Sequence, residues 1–153
     1  MKFLRLIVFL PFLASTQAES ADINILSSLD FGAVTASFYG DVIQIDASEN
    51  QSAPFVLSGG KSVVSGGQSA LAVFTPDSEG QIVNISYPVN IEIISGAEKM
   101  TVRDISLNST KNFVTQSTSP VNINIGGVLE IGASQKSGNY SGTALINITI
   151  NNP

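Results

Sequence analysis

Alternation with a period of two residues recurs along most of this chain and leaves little choice of secondary structure. Ile43 and Ile45 flank Gln44; Val83, Ile85 and Tyr87 flank Asn84 and Ser86; Val89, Ile91 and Ile93 flank Asn90 and Glu92. Val121, Ile123 and Ile125 flank Asn122 and Asn124, and near the end Ala144, Ile146, Ile148 and Ile150 alternate with Leu145, Asn147 and Thr149. Successive side chains of a strand point to opposite faces, so each segment reads as a strand with one buried and one wetted face, as in antiparallel sheets. No window favours a helix, because β-branched residues, Ser, Thr, Asn and Gly fill every candidate.

Turn signals separate these segments: Tyr39-Gly40-Asp41, Ser58-Gly59-Gly60, Ser65-Gly66-Gly67, Pro76 to Gly80, Ser95-Gly96, Gly126-Gly127 and Ser137-Gly138-Asn139. Pro88 cannot donate a ladder hydrogen bond and is expected to divide 81–87 from 89–94. The alternation that reaches Val102 resumes out of phase at Ile105 and Leu107, which predicts a bulge near Arg103-Asp104. Asn108 to Pro120 reads as a polar loop and the most mobile segment. Many short strands without helices predict an all-β chain, an antiparallel β-sandwich.

The first eighteen residues follow a different rule. Lys2 and Arg5 precede or enter an apolar run from Leu6 to Leu13, and Thr16-Gln17-Ala18 places small side chains where a signal peptidase needs them. That pattern predicts a signal peptide over 1–18 and a single sandwich domain over 19–153, exported to the periplasm, the cell surface or the medium. The apolar run, interrupted by Pro11, is well short of the roughly 20 residues of a spanning helix, so no membrane span is expected after cleavage.

Cleavage leaves 135 of the 153 residues, enough for one core. It also leaves five of the seven basic residues against all twelve acidic ones, a net charge of −7 where the whole chain has −5. Such a surface argues against nucleic acid as a partner. The chain has no cysteine and no histidine, so it lacks disulfides, the usual zinc ligands and the commonest general base. Cohesion must come from packing and strand pairing, and catalysis is not expected.

The fragments that resemble reactive motifs do not complete them. Ser58-Gly-Gly-Lys-Ser62 has Phe55 where a phosphate loop needs its first glycine, and Val63-Val64 where the helix should begin. As a serine–lysine pair it lacks the supporting motifs, and its near copy Ser65-Gly-Gly-Gln-Ser69 points to two similar turns around a short strand. Asp46 to Asn50 and Asp77 to Gly80 group oxygen ligands without calcium-loop spacing and read as solvated turns. Neither a cofactor nor a metal is expected.

Three signatures remain: Leu29-Asp30-Phe31-Gly32, the Gly126-Gly127 pair within Ile125 to Ile131, and Gly138-Asn139-Tyr140-Ser141-Gly142-Thr143. Together, over about residues 22–150, they resemble a bacterial secreted family, domain of unknown function 4402, and more distantly spore-coat-U-like and chaperone-usher pilin subunits. The resemblance implies an immunoglobulin-like, pilin-like sandwich with a structural or adhesive role. It also implies other subunits or a periplasmic chaperone as partners, by β-strand addition. On that reading the last strand borders the docking groove, and Tyr140 plugs one end of the sandwich.

Two departures weigh against polymerisation: the chain ends Asn152-Pro153 where familiar pilins have a penultimate Tyr, and only Glu19 and Ser20 precede a first strand over 21–28. A donor extension needs roughly ten residues ahead of the first strand, so the chain leans toward a sandwich completed within itself, with a free-standing binding module for a glycan or small ligand as the alternative role. Intact-mass analysis of exported protein is expected to give a first residue of Glu19; a mass that includes Met1 to Ala18 refutes the leader.

Overall fold

The structure, a computed structural model, describes residues 4–9, 21–35, 39–47, 53–59 and 63–152. Among them are fourteen strands and no helix. In chain order these are β1 (Leu4–Phe9), β2 (Asp22–Ser27), β3 (Gly32–Thr35), β4 (Asp41–Ile45), β5 (Phe55–Gly59), β6 (Val63–Ser65), β7 (Ala70–Thr75), β8 (Ile82–Ser86), β9 (Asn90–Ser95), β10 (Glu98–Leu107), β11 (Asn112–Val114), β12 (Val121–Ile131), β13 (Gly138–Thr143) and β14 (Asn147–Asn151). The large sheet runs β2-β7-β12-β10-β9-β13-β1-β3-β6, with β4 on β12 and β5 on β4; a second sheet runs β11-β8-β14. The chain is an all-β, antiparallel β-sandwich.

The longest strand, β12, organises the large sheet. Its first half pairs with β7 from Val121↔Phe74 to Ile125↔Ala70, and its second half with β4 from Gly127↔Ile45 to Ile131↔Asp41. Antiparallel β10 pairs with it from Thr101↔Glu130 to Leu107↔Ile125. With neighbours on both sides, Ile123 through Leu129 are all buried, including Asn124, where alternation predicts a wetted residue. The Asn124 amide donates to the Asn108 side chain (2.8 Å), whose own amide group donates to the Asn122 carbonyl (3.1 Å), so Asn108 extends the ladder beyond β10.

The alternating residues form one core. Ile43 and Ile45 of β4, Phe74 of β7, Val83 and Ile85 of β8, Ile93 of β9, Val102 of β10 and Ile123 of β12 are all buried in it. Pro88 separates β8 from β9 as expected, and the register of β10 shifts between Arg103 and Ser106, with Asp104 at φ 50°. The bulge lies where the phase slip places it.

Three expectations fail. The Gly126-Gly127 pair is not a turn: both glycines lie inside β12, where a Cβ on Gly126 would meet the backbone of Ile45. The segment 108–120 is not simply a polar loop: it carries β11, because Phe113 packs edge-on against Phe74 at 6.4 Å. Thr115 secures its far end, accepting from the Gln81 amide (2.9 Å) and donating to the Ser78 carbonyl (3.0 Å). The last strand, β14, does not border a gap in the large sheet. It pairs only with β8, Ile148 opposite Ile85 and Ile150 opposite Val83, and Gln81 donates to the Asn152 side chain (2.9 Å) just beyond it. The isoleucine row of β14 closes the sandwich over the core from the small sheet.

Burial along the alternating segment that leads into β14 is graded: Ile146, just before the strand, is buried, Ile148 is half-buried on its edge strand, and Leu145, on the opposite face, is 43 % exposed. Urea unfolding is expected to rank Ile146→Asn as most costly, about 3 kcal/mol from lost burial and an unpaired amide. Ile148→Asn should fall between it and Leu145→Asn. Equal midpoints for Ile146→Asn and Leu145→Asn would mean that the inward face is misassigned.

Candidate strand-addition site

The site is built from two short strands that do not pair with each other. The β13 strand meets β9 through Ser141↔Ile94, and β3 pairs with β6 from Ala33↔Ser65 to Thr35↔Val63. Between their remaining edges lies β1. It runs parallel to β13 in unbroken register, from Leu4↔Gly138 through Leu6↔Tyr140 and Val8↔Gly142 to Phe9↔Thr143. It runs antiparallel to β3, with Leu4↔Val34, Arg5↔Ala33 and Leu6↔Gly32. The β1–β13 pair is the one parallel pair among the described strands.

Residues 4–9 fall inside the segment that the sequence reads as a leader. Those six residues occupy an interior position of the large sheet. At the usual strand spacing of about 4.8 Å, removing them leaves β3 and β13 about 10 Å apart with facing unpaired edges.

Two of the three sequence signatures shape the two walls. In Leu29-Asp30-Phe31-Gly32, Leu29 and Phe31 are buried, and the Asp30 carboxylate accepts from the Gly32 amide (2.8 Å). The Asp30 backbone exchanges both hydrogen bonds with Gln68 (2.9 and 2.7 Å). Gly32 has φ +72°, and a Cβ there would lie 2.6 Å from the Ser65 and Gly66 backbone, so only glycine starts β3 in this position. The Ser65-Gly-Gly-Gln-Ser69 copy forms a turn, with Gly66 and Gly67 at positive φ. Gly60 to Ser62 of the first copy, Ser48 to Asn50 of the acidic Asp46 segment, and Thr16 to Ala18 of the expected cleavage site lie outside the described residues.

In the second wall, Tyr140 is fully buried; its hydroxyl donates to the Lys136 carbonyl and accepts from the Gln135 amide, each at 2.8 Å. The Lys136 ammonium pairs with Glu98 at 2.6 Å, which raises its pKa above the ordinary lysine value, although both groups face water. Gly138 and Gly142 flank the ring because β9 lies against them. A Cβ on Gly142 would stand 2.5 Å from the Glu92 carbonyl, and one on Gly138 would meet the Ser95 side chain.

The third signature lies elsewhere. A Cβ on Gly126 would strike the Ile45 carbonyl and the Ala47 amide where β4 succeeds β7 along β12, and one on Gly127 would crowd Val102 and Ile105. These two glycines serve the central strand. Sequence reasoning missed β3 as a wall and Gln135 and Lys136 as the holders of Tyr140; Gly32-Ala33-Val34-Thr35, four residues bounded by a turn glycine, was the available signal.

Another concave feature is an open depression of about 590 Å³ lined by Tyr87, Pro88, Glu92, Thr143, Leu145 and Asn147. Its aromatic residue is engaged: the Lys111 ammonium lies 4.3 Å from the Tyr87 ring centroid, over one face. Among the described residues no group of three carboxylates or other metal-ligating side chains gathers, and no helix is long and apolar enough to cross a membrane.

An antiparallel β-sandwich with a strand-wide position between β3 and β13 is thus the class that fold and site define. Residues 21–151 match the family described as domain of unknown function DUF4402, and the chain belongs to that family. Nothing among the curated proteins or the solved structures matches it.

The packing of β9 on β13 gives a direct check. Gly142→Ala is expected to cost about 1–3 kcal/mol by overpacking, whereas Gly132→Ala, whose Cβ would meet nothing closer than the Gln135 side chain at 3.6 Å, should be near neutral in urea unfolding. Equal costs would mean that β9 does not press on the second wall.

Proposed function

We propose that the mature domain is an exported, non-catalytic subunit of the pilin-like kind, structural or adhesive, whose sandwich is completed by a strand from another chain. The observation that carries this reading is the seat of β1. Residues 4–9, part of a segment with the charge, length and cleavage pattern of a leader, fill an interior strand position, so export and cleavage would leave β3 and β13 without a shared neighbour. Unpaired backbone groups next to a buried core are costly, and an extended apolar segment supplies both the ladder and the alternate side chains.

The position asks for a six-residue strand whose alternate residues stand in register with Gly138, Tyr140 and Gly142 on one side and Val34 and Gly32 on the other. Those wall residues face inward or are partly buried, while Asn139, Ser141 and Thr143 between them are exposed. A donor with apolar residues at every second position meets that demand. The self-contained binding module is less well supported, because the open depression offers one aromatic ring already covered on one face.

Size-exclusion chromatography of residues 19–153, with and without a synthetic peptide of residues 3–10, tests the reading. The mature domain alone is expected to form a ladder of oligomers that collapses to a monomer–peptide complex when the peptide is added, while residues 1–153 run as a monomer. A monodisperse 19–153 monomer that takes up no peptide would overturn it.

A further inference from the structure

We propose that the depression at the seam of the two sheets is a binding site for one neutral, N-acetylated amino sugar of a glycan chain. The polypeptide changes sheets twice at this end of the sandwich. Tyr87-Pro88-Val89 carries it from β8 in the small sheet to β9 in the large one, and Ala144-Leu145-Ile146 carries it from β13 back to β14. Residues of both crossings line the depression, which therefore opens where the sheets part.

Rim and floor differ in chemistry. Ser86, Asn90, Thr143 and Asn147 stand exposed on the rim, and their side chains make no hydrogen bond among the described residues. Tyr87, Pro88, Ile91 and Ala144 line the depression and also a hollow of about 10 Å³ beneath it, whose remaining walls are core aliphatics such as Leu29 and Ile146. A space of that size holds about one small group, and wholly apolar walls give water none of the hydrogen bonds it needs. A methyl group suits the hollow where water does not.

Charge narrows the ligand class. Glu92 is the charged residue of the lining, and its carboxylate accepts from the Lys99 ammonium at 2.8 Å. The Lys111 ammonium lies 4.3 Å from the Tyr87 ring centroid, and Lys111 is fixed to β8 through its carbonyl, which accepts from the Ile85 amide (2.7 Å). A cationic ligand finds no unpaired carboxylate in the depression, and an anionic one meets a chain of net charge −5. A neutral ligand rich in hydrogen-bonding groups remains.

A pyranose with an acetamido group meets these demands together. Its C–H face packs on the Tyr87 ring, which Lys111 holds from the other side, so one covered ring face is no obstacle. Its hydroxyls donate and accept, as the Asn90 and Asn147 amides do. The acetamido methyl enters the hollow between Tyr87 and Ala144. The site deepens the adhesive side of the reading above and rests on it for its setting, because assembled subunits present many copies of a weak single-sugar site and linked sites bind far more tightly than one. Binding by one domain needs no strand addition, since the depression shares only Thr143 with β3 and β13.

The test is an NMR titration of residues 1–153 with chitotriose and, separately, with cellotriose, which has a hydroxyl in place of each acetamido group. Chitotriose is expected to shift amides within 86–92 and 143–147, with magnetisation transfer from protein to sugar strongest at the acetamido methyl. Cellotriose is expected to bind at least about tenfold more weakly, the usual worth of a small apolar group in a fitted pocket. Asn90→Ala combined with Asn147→Ala, both at exposed positions, should weaken chitotriose by about tenfold and leave the urea midpoint unchanged. Equal affinities for the two sugars would overturn the acetamido assignment, and shifts outside the two segments, or none, would overturn the site. Neither result touches the position between β3 and β13, which the chromatography of residues 19–153 decides on its own.

Discussion

Each amide and carbonyl that the sandwich hides from water has to find a neighbouring strand, and in a chain without cysteine nothing covalent can stand in for a missing neighbour. The structure follows from how that demand is met. Where β12 has β10 on one side and β7 then β4 on the other, seven consecutive residues from Ile123 to Leu129 are buried and the ladder is continuous. Where β3 and β13 approach without touching, the demand is met by residues 4–9. The same requirement that makes β12 the centre of the fold makes the place between β3 and β13 one that β1 fills.

Backbone proximity explains why the signatures are glycine-rich. Gly142 and Gly138 let β9 approach the second wall, Gly126 lets β4 take over from β7, and Gly32 starts the first wall at a left-handed φ. Tyr140 is the counterpart of these small residues, a large buried ring whose hydroxyl is held by Gln135 and Lys136. Side-chain absence at some positions and one large side chain between them set the spacing of the strands around the gap. The ion pairs contribute little by comparison: Arg103 with Glu130 and Asp104, Lys99 with Glu92, and Lys136 with Glu98 all sit at the surface.

Membership of the DUF4402 family says nothing of activity, so the functional reading rests on the strand position alone. The edge strands differ in what they offer. The outer edge of β5 carries Phe55, Val56 and Leu57, each more than a third exposed, but it ends a sheet and has a neighbour in β4. The position between β3 and β13 needs an occupant on both sides, which makes it the more demanding of the two.

Alternation determined by itself that the chain is all β, which face of most strands meets the core, and where the pattern must break. Pro88 divides β8 from β9 because it has no amide to donate, and the slip after Val102 marks a bulge because one extra residue inverts the faces. These are local effects, written in consecutive residues. Pairing is not local. Nothing in Asn147 to Asn151 says that β14 lies beside β8, nothing in Asn122 to Asn124 says that the second asparagine is covered, and Phe113 makes a strand of β11 only because Phe74 is there. Period two assigns a residue to a face and leaves its neighbouring strand open, and that choice depends on contacts between segments far apart in the chain. Only the tertiary structure, by closing one core, decided that β3 and β13 stand one strand apart.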